Sequence, residues 1–194
     1  MSSSSTIKNY LSLIKFSHTI FAMPFAMIGF FLAVMHESGA AATEPWYQRY
    51  GWKLLLVVLC MVFARSAAMA FNRYLDRQFD ARNPRTAIRE IPAGIIRANQ
   101  ALLFTLCNAL FFVVTCWFIN PLCFALSFVA LFVVLFYSYT KRFTPLCHLV
   151  LGLGLSLAPI GAYLAVTGQF DVLPLLFSFT VLFWVSGFDI IYAL

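Results

Sequence analysis

Charge is what this chain has least of. Only 10% of its 194 residues are Asp, Glu, Lys or Arg, and just seven are acidic. An ordinary water-soluble domain carries roughly 25% charged residues, so a surface solvated on all sides is excluded. The shortage is also uneven: 43 residues between Arg97 and Lys141 and 28 between Arg142 and Asp171 carry no Asp, Glu, Lys or Arg. A helix needs roughly 20 apolar residues to cross a bilayer, so the first run holds two spans and the second holds one. Period-two alternation is missing as well. The Phe/Leu/Val runs are continuous, which excludes a membrane β-barrel and leaves helices as the spanning element. The five cysteines (Cys60, Cys107, Cys116, Cys123 and Cys147) all lie in apolar segments, and no pair has metal-site spacing. They read as small packing residues. His18, His36 and His148 form no recognisable constellation.

What is present is apolar: 62% of the residues are hydrophobic and 18% aromatic. Six spans are expected, at 19–36, 52–72, 99–119, 121–139, 146–167 and 172–192, giving an all-α, polytopic transmembrane helical bundle. Lys8 and Lys15 ahead of an apolar stretch, followed by Gly39-Ala40-Ala41-Ala42, offer a signal peptide as an alternative. The stretch is longer than a typical signal core and contains Pro24, so a first span is preferred. Basic residues set the orientation. With the N-terminus inside, the inner segments hold ten Lys and Arg and the outer loops only Arg49 and Lys53. The formal charge of +6 therefore describes an inner-face patch suited to phosphates or anionic headgroups, and nucleic acid is not an expected partner. Residues 1–9 are Ser-rich and expected to fray. The one long polar stretch, 72–98, is expected to be an inner-face loop, and a shorter basic loop surrounds Lys141 and Arg142.

Chemistry concentrates at the start of that polar stretch. Asn72, Asp76 and Asp80 stand at i, i+4 and i+8, within an arc of about 80° on a helix. Three oxygen donors so placed suit a hard divalent cation such as Mg²⁺. Arg65, seven residues earlier, shares that face and needs an anionic partner at membrane depth. The spacing equally allows an interfacial helix end with Asp76–Arg73, Asp76–Arg77 or Asp80–Arg77 ion pairs. Asp189 is the single acid of the last span, hence a functional candidate. Asn108 and Ser127 within spans are expected to bond between helices, Gly152, Gly154 and Ser156 to allow close helix approach, and Pro159 to kink its helix.

Residues 64–94 resemble the first aspartate-rich motif and following loop of the UbiA superfamily of intramembrane prenyltransferases, approximately N-D-x-x-D-x-x-x-D followed by N-P-R-T-K-x-R-P and a P/A-x-G turn. Asn72, Asp76 and Asp80 match its Asn and its second and third aspartates, and Asn83-Pro84-Arg85-Thr86, Arg89 and Gly94 match the loop. Tyr139-Thr140-Lys141-Arg142-Phe143-Thr144 resembles the family's basic segment, and Gly187-Phe188-Asp189 resembles the opening of its second aspartate-rich motif. Arg73 stands at the first Asp position, Ala87 at the loop Lys and Glu90 at the Pro after Arg89, departures similar to the 4-hydroxybenzoate and menaquinone-pathway branch.

The resemblance implies a single domain over 1–194, with about six of the family's roughly nine spans and the C-terminal part lying beyond Leu194. It implies Mg²⁺-dependent transfer of a polyprenyl group from polyprenyl diphosphate to a small aromatic acceptor such as 4-hydroxybenzoate, or alternatively a dihydroxynaphthoate, in quinone biosynthesis. It implies metal ligands Asn72, Asp76, Asp80 and Asp189, diphosphate contacts from Arg65, Arg85, Arg89, Lys141 and Arg142, and catalytic roles for Asp76 and Asp189. The expected location is a bacterial inner membrane, with the N-terminus and site facing the cytoplasm. The rival readings are a catalytically silent truncated membrane protein, or a transporter, which the nearly charge-free third to fifth spans disfavour.

Overall fold

The computed structural model describes residues 3–38, 45–144 and 146–193, so Gly39-Ala40-Ala41-Ala42 and Pro145 lie outside the described residues. Among the described residues seven helices follow one another: α1 Ser3–Leu13, α2 Phe16–Ser38, α3 Trp46–Arg82, α4 Ala98–Ile119, α5 Pro121–Thr140, α6 Cys147–Thr167 and α7 Val172–Ala193. No strand occurs among the described residues. Five of the described helices, α3 to α7, are long and apolar enough to cross a bilayer, and Ala22–Glu37 is a shorter apolar stretch within the described part of α2. The expected all-α membrane bundle is what the chain forms.

Two boundaries differ from expectation. The N-terminal residues do not simply fray: Ser3–Leu13 form α1, because Leu13 is fully buried beside Ala70, Ile96 and Ala101. Tyr10 also sets its ring 5.0 Å from that of Phe104. The second difference is larger. Residues 72–82 belong to α3 and not to a loop, because nothing between Trp52 and Arg82 breaks a helix. The helix stops where Asn83 meets Pro84, since a residue before proline is driven out of the α region. The true loop is 83–97. At 37 residues and a rise of about 1.5 Å each, α3 is roughly 55 Å long, against a bilayer core of about 30 Å. Its polar last turns therefore project from one end of the bundle.

Helices α2 to α7 alternate in direction, and their termini form two chemically distinct ends. One end collects α1, the last turns of α3, the 83–97 loop, the segment around Lys141 and the end of α7. At the other end Lys53 donates to the Val166 carbonyl at 2.9 Å, Asn120 donates to the Leu164 carbonyl at 2.9 Å, and the Tyr163 hydroxyl donates to Asp171 at 3.1 Å.

Helix α6 is the central element, half buried along its apolar window. Close backbone approach to its neighbours needs glycine at two positions. A Cβ on Gly29 of α2 would collide with the backbone of Pro159, and one on Gly152 would collide with Ser186 Oγ and the Leu182 carbonyl of α7. Gly154 is different, because a Cβ there would make ordinary contact with Val134 at 3.5 Å. Asn108 and Ser127 also depart from expectation. Asn108 donates to the Phe104 carbonyl at 2.8 Å and Ser127 to the Phe124 carbonyl at 2.6 Å, each within its own helix. Back-bonding of this kind satisfies a polar side chain without a partner helix. Outward-facing rings such as Trp117, Phe118, Phe132 and Phe183 are more than 60% exposed, as lipid contact requires.

Candidate functional site

The polar end of the bundle is organised by the segment after α5, which folds back onto α3. Arg142 Nη2 donates to the Leu75 carbonyl at 2.7 Å and lies 3.8 Å from Asp76 Oδ1. Lys141 Nζ donates to Asn72 Oδ1 at 3.2 Å and forms an ion pair with Asp76 Oδ2. Asp76 is largely buried, with 15% of its side chain exposed, and so is Lys141 at 25%. Two oxygens one helical turn apart thus converge on one cation. Burial strengthens that attraction, since charges at the protein–water boundary interact several-fold more strongly than in bulk water.

Asp80, the third member of the series, does not join them. Its carboxylate is buried, and Arg89 Nη1 donates to both of its oxygens, at 2.7 and 2.8 Å. Thr86 Oγ1 donates to the Asp80 carbonyl at 3.0 Å, binding the loop to the end of the helix. The near-neighbour ion pairs allowed by the spacing are absent too. Arg77 donates to the Tyr74 carbonyl at 2.6 Å and lies over the Tyr74 ring at 4.4 Å. Arg73 is buried, and its Nε has no hydrogen-bond partner among the described residues. The acids of α3 pair instead with bases from other segments, and so tie the site together. Truncating Arg89 to alanine leaves the Asp80 carboxylate buried without its partner. A loss of about 3 kcal/mol is expected, measurable as a lower midpoint of thermal unfolding in detergent. The double variant Asp80→Asn/Arg89→Gln should recover most of it.

The remaining sequence candidates are distributed around this pair. Arg85 stands exposed on the loop, where its backbone N–H closes a turn on Asn83 Oδ1 at 3.0 Å. Asp189 lies near the end of α7, with Oδ2 2.6 Å from His148 Nδ1 on α6. Among the described residues no three His, Cys, Asp or Glu side chains are gathered closely enough to hold a metal. Asn72 and Asp76 fit a cation, since Lys141 already places one on both oxygens. Asp80 and Asp189 are each engaged elsewhere.

Arg65 projects from the same face of α3 into a cavity of about 350 Å³ between α2, α3, α4, α5 and α6. The lining is mostly aliphatic and aromatic, reaching Cys123 and Leu164 at the far end, with Arg65, Asn72 and Tyr137 among its few polar members. Arg65 Nε is buried without a partner among the described residues. The cavity therefore combines an apolar shaft with a cationic rim beside Asn72 and Asp76.

His148 escaped sequence reasoning, because forty residues separate it from Asp189. A signal was present nevertheless. The α6–α7 connection is short, so residues equidistant from the turn meet, and His148 lies 20 residues before Gly168 while Asp189 lies 18 after Asp171.

The chain is similar to known proteins over most of its length. The model of the UbiA prenyltransferase family matches residues 19–194. A 4-hydroxybenzoate octaprenyltransferase from Tolumonas auensis is 40% identical over 144 residues, 74% of this chain and 50% of the relative. The one from Aeromonas hydrophila is 34% identical over 143 residues, with the same coverage. The chain thus spans about half the length of the curated relatives it matches. Among solved structures, the apo UbiA homologue from Aeropyrum pernix K1 is similar with a TM-score of 0.75 and 29% identity, over 91% of this chain and 63% of that one. A UbiA homologue from Archaeoglobus fulgidus bound to DMAPP and Mg²⁺ shares the fold, with a TM-score of 0.74 and 20% identity over 95% of this chain and 62% of that one.

Proposed function

The chain belongs to the UbiA prenyltransferase family, and on that footing we propose that it carries the catalytic end of an enzyme that transfers a polyprenyl group from its diphosphate to a small aromatic acceptor, 4-hydroxybenzoate foremost. The observation that carries this reading is the convergence of Asn72 and Asp76 on one cation at the rim of an apolar cavity holding Arg65, whose Nε has no partner among the described residues. The names of the curated relatives support the acceptor, and the Mg²⁺ bound with DMAPP in the Archaeoglobus homologue supports the cofactor.

Asn72 and Asp76 are the residues that would hold Mg²⁺, which when bound supplies positive charge against the diphosphate and makes it a better leaving group. Lys141 and Arg142, already at the rim, take phosphate oxygens, with Arg142 suited to bidentate contact. Arg65 receives the anion from inside the cavity, and exposed Arg85 meets it from the loop. Arg89 acts through Asp80, holding the loop onto α3. The isoprenoid tail lies along the apolar shaft, where water is excluded and a developing allylic cation is not quenched. Asp189 accepts the proton that the aromatic ring must lose. The protein is integral to a bacterial inner membrane with the polar end facing the cytoplasm, as the ten inner bases against two outer ones support.

The test is product mass. Membranes expressing the complete reading frame are given a polyprenyl diphosphate, Mg²⁺ and, in turn, 4-hydroxybenzoate and a dihydroxynaphthoate. A prenylated 4-hydroxybenzoate is the expected product. A prenylated naphthoate alone would keep the chemistry and change the acceptor, and no product with either would sink the reading.

A further inference from the structure

Asp189 and His148 are joined by a short contact, Nδ1 to Oδ2 at 2.6 Å, at the polar end of the α6–α7 pair. Neither is deeply buried: 23% of the histidine side chain and 31% of the aspartate side chain are exposed. One helical turn further along α6, Gly152 lies so close to α7 that a Cβ would strike Ser186 Oγ and the Leu182 carbonyl. Ser186 Oγ itself donates to the Leu182 carbonyl at 2.7 Å, so the contact surface is fixed on the α7 side as well. Two helices locked at Gly152 hold His148 and Asp189 in one relative position. Only one carboxylate oxygen is used, and Asp189 Oδ1 has no hydrogen bond within the described residues. Tyr137 of α5, which lines the cavity, lies within electrostatic reach of both Asp189 and Asp76. The pair therefore lies toward the same polar end of the bundle as the cationic site.

We propose that His148 is a positioning residue for catalysis, its Nδ1–H holding Asp189 Oδ2 so that Oδ1 points at the acceptor ring. This rests on the prenyl-transfer reading above. In the step concerned, the allylic C–O bond breaks and its electron pair leaves with the diphosphate. A ring π pair forms the new carbon–carbon bond, and the ring proton at that carbon passes to Asp189 Oδ1, which restores aromaticity. A carboxylate free to rotate would meet that proton less often. Hydrogen bonds that orient a reacting group are worth about 10- to 100-fold in comparable supporting shells.

The complete reading frame in membranes provides the test, with rates normalised to inserted protein. His148→Ala and His148→Leu should lower kcat by about 10- to 100-fold while KM for the polyprenyl diphosphate stays within about twofold, since the diphosphate contacts lie on α3, on the 83–97 loop and beside Lys141. His148→Asn returns an N–H donor near the position of Nδ1 and should recover most of the lost kcat. Combined with Asp189→Asn, His148→Leu should add little further loss, as expected of residues acting as a unit. Undiminished kcat in both His148 variants overturns the assignment, and so does an equal loss in Ala, Leu and Asn. Those outcomes leave wild-type transfer intact and the wider reading standing. A wild-type protein silent with every acceptor removes that reading and this inference with it.

Discussion

Replacing Asp76 by alanine is expected to lower prenyl transfer about 1000-fold, equivalent to roughly 4 kcal/mol of barrier, a value within reach of the charge stabilisation a bound metal supplies. The expectation follows from position. Asp76 is the anion that both Lys141 and Arg142 approach, and Lys141 also bonds the oxygen of Asn72. Alanine leaves those two cations without their anion and leaves Asn72 alone as an oxygen donor. The diphosphate would then meet neither a metal nor bases held at a defined spacing. Asp80→Ala should behave differently. Asp80 binds Arg89 and anchors the loop, so its loss should lower stability and affect rate only through looser positioning. The check is a side-by-side measurement of rate and detergent-extractable protein for the two variants. A rate loss equal in both would show that the series acts as one metal site, against the separation seen here.

Gly29→Leu is the second large effect. Gly29 faces the backbone of Pro159, where a single Cβ has no room, and Pro159 is itself fully buried. Backbone cannot yield as a side-chain tip does, so α2 must move away from α6. Overpacking of this kind costs about 1–3 kcal/mol and occasionally more. The leucine side chain belongs at the upper end. Because α2 and α6 both wall the cavity through Ala22, Ala26, Ala158 and Gly161, separating them also opens the shaft. The expected result is a sharp fall in monodisperse protein after extraction, while Gly51→Leu, which has no heavy atom nearby, should be tolerated.

Much of this was legible in the sequence, for physical reasons. Charge-free runs can only be spans, and the count of bases on alternate loops marks the polar end. The periodicity of Asn72, Asp76 and Asp80 correctly placed three oxygens on one face. Its limit was competition from other segments. Helical spacing says where a side chain points but not what the rest of the chain brings to it, so Arg89 captured Asp80 and Lys141 captured Asp76. Polar residues 72–82 read as a loop by composition, yet no helix breaker interrupts them before Pro84 and α3 runs through. The α1 helix was hidden because its stability comes from Leu13 meeting Ala70, Ile96 and Ala101, contacts with no local signature. Asn108 and Ser127 turned inward to their own helices, a choice that hydropathy does not encode.

The most direct test is binding and not turnover. Radiolabelled geranyl diphosphate is titrated onto this chain, purified in detergent, with and without Mg²⁺, for the wild type, Asp76→Ala and Lys141→Gln. Saturable binding that requires Mg²⁺ and is lost in Asp76→Ala and weakened in Lys141→Gln is the expected result. Equally tight binding without the metal, or binding unaffected by either substitution, would contradict a diphosphate site built on Asn72, Asp76 and Lys141.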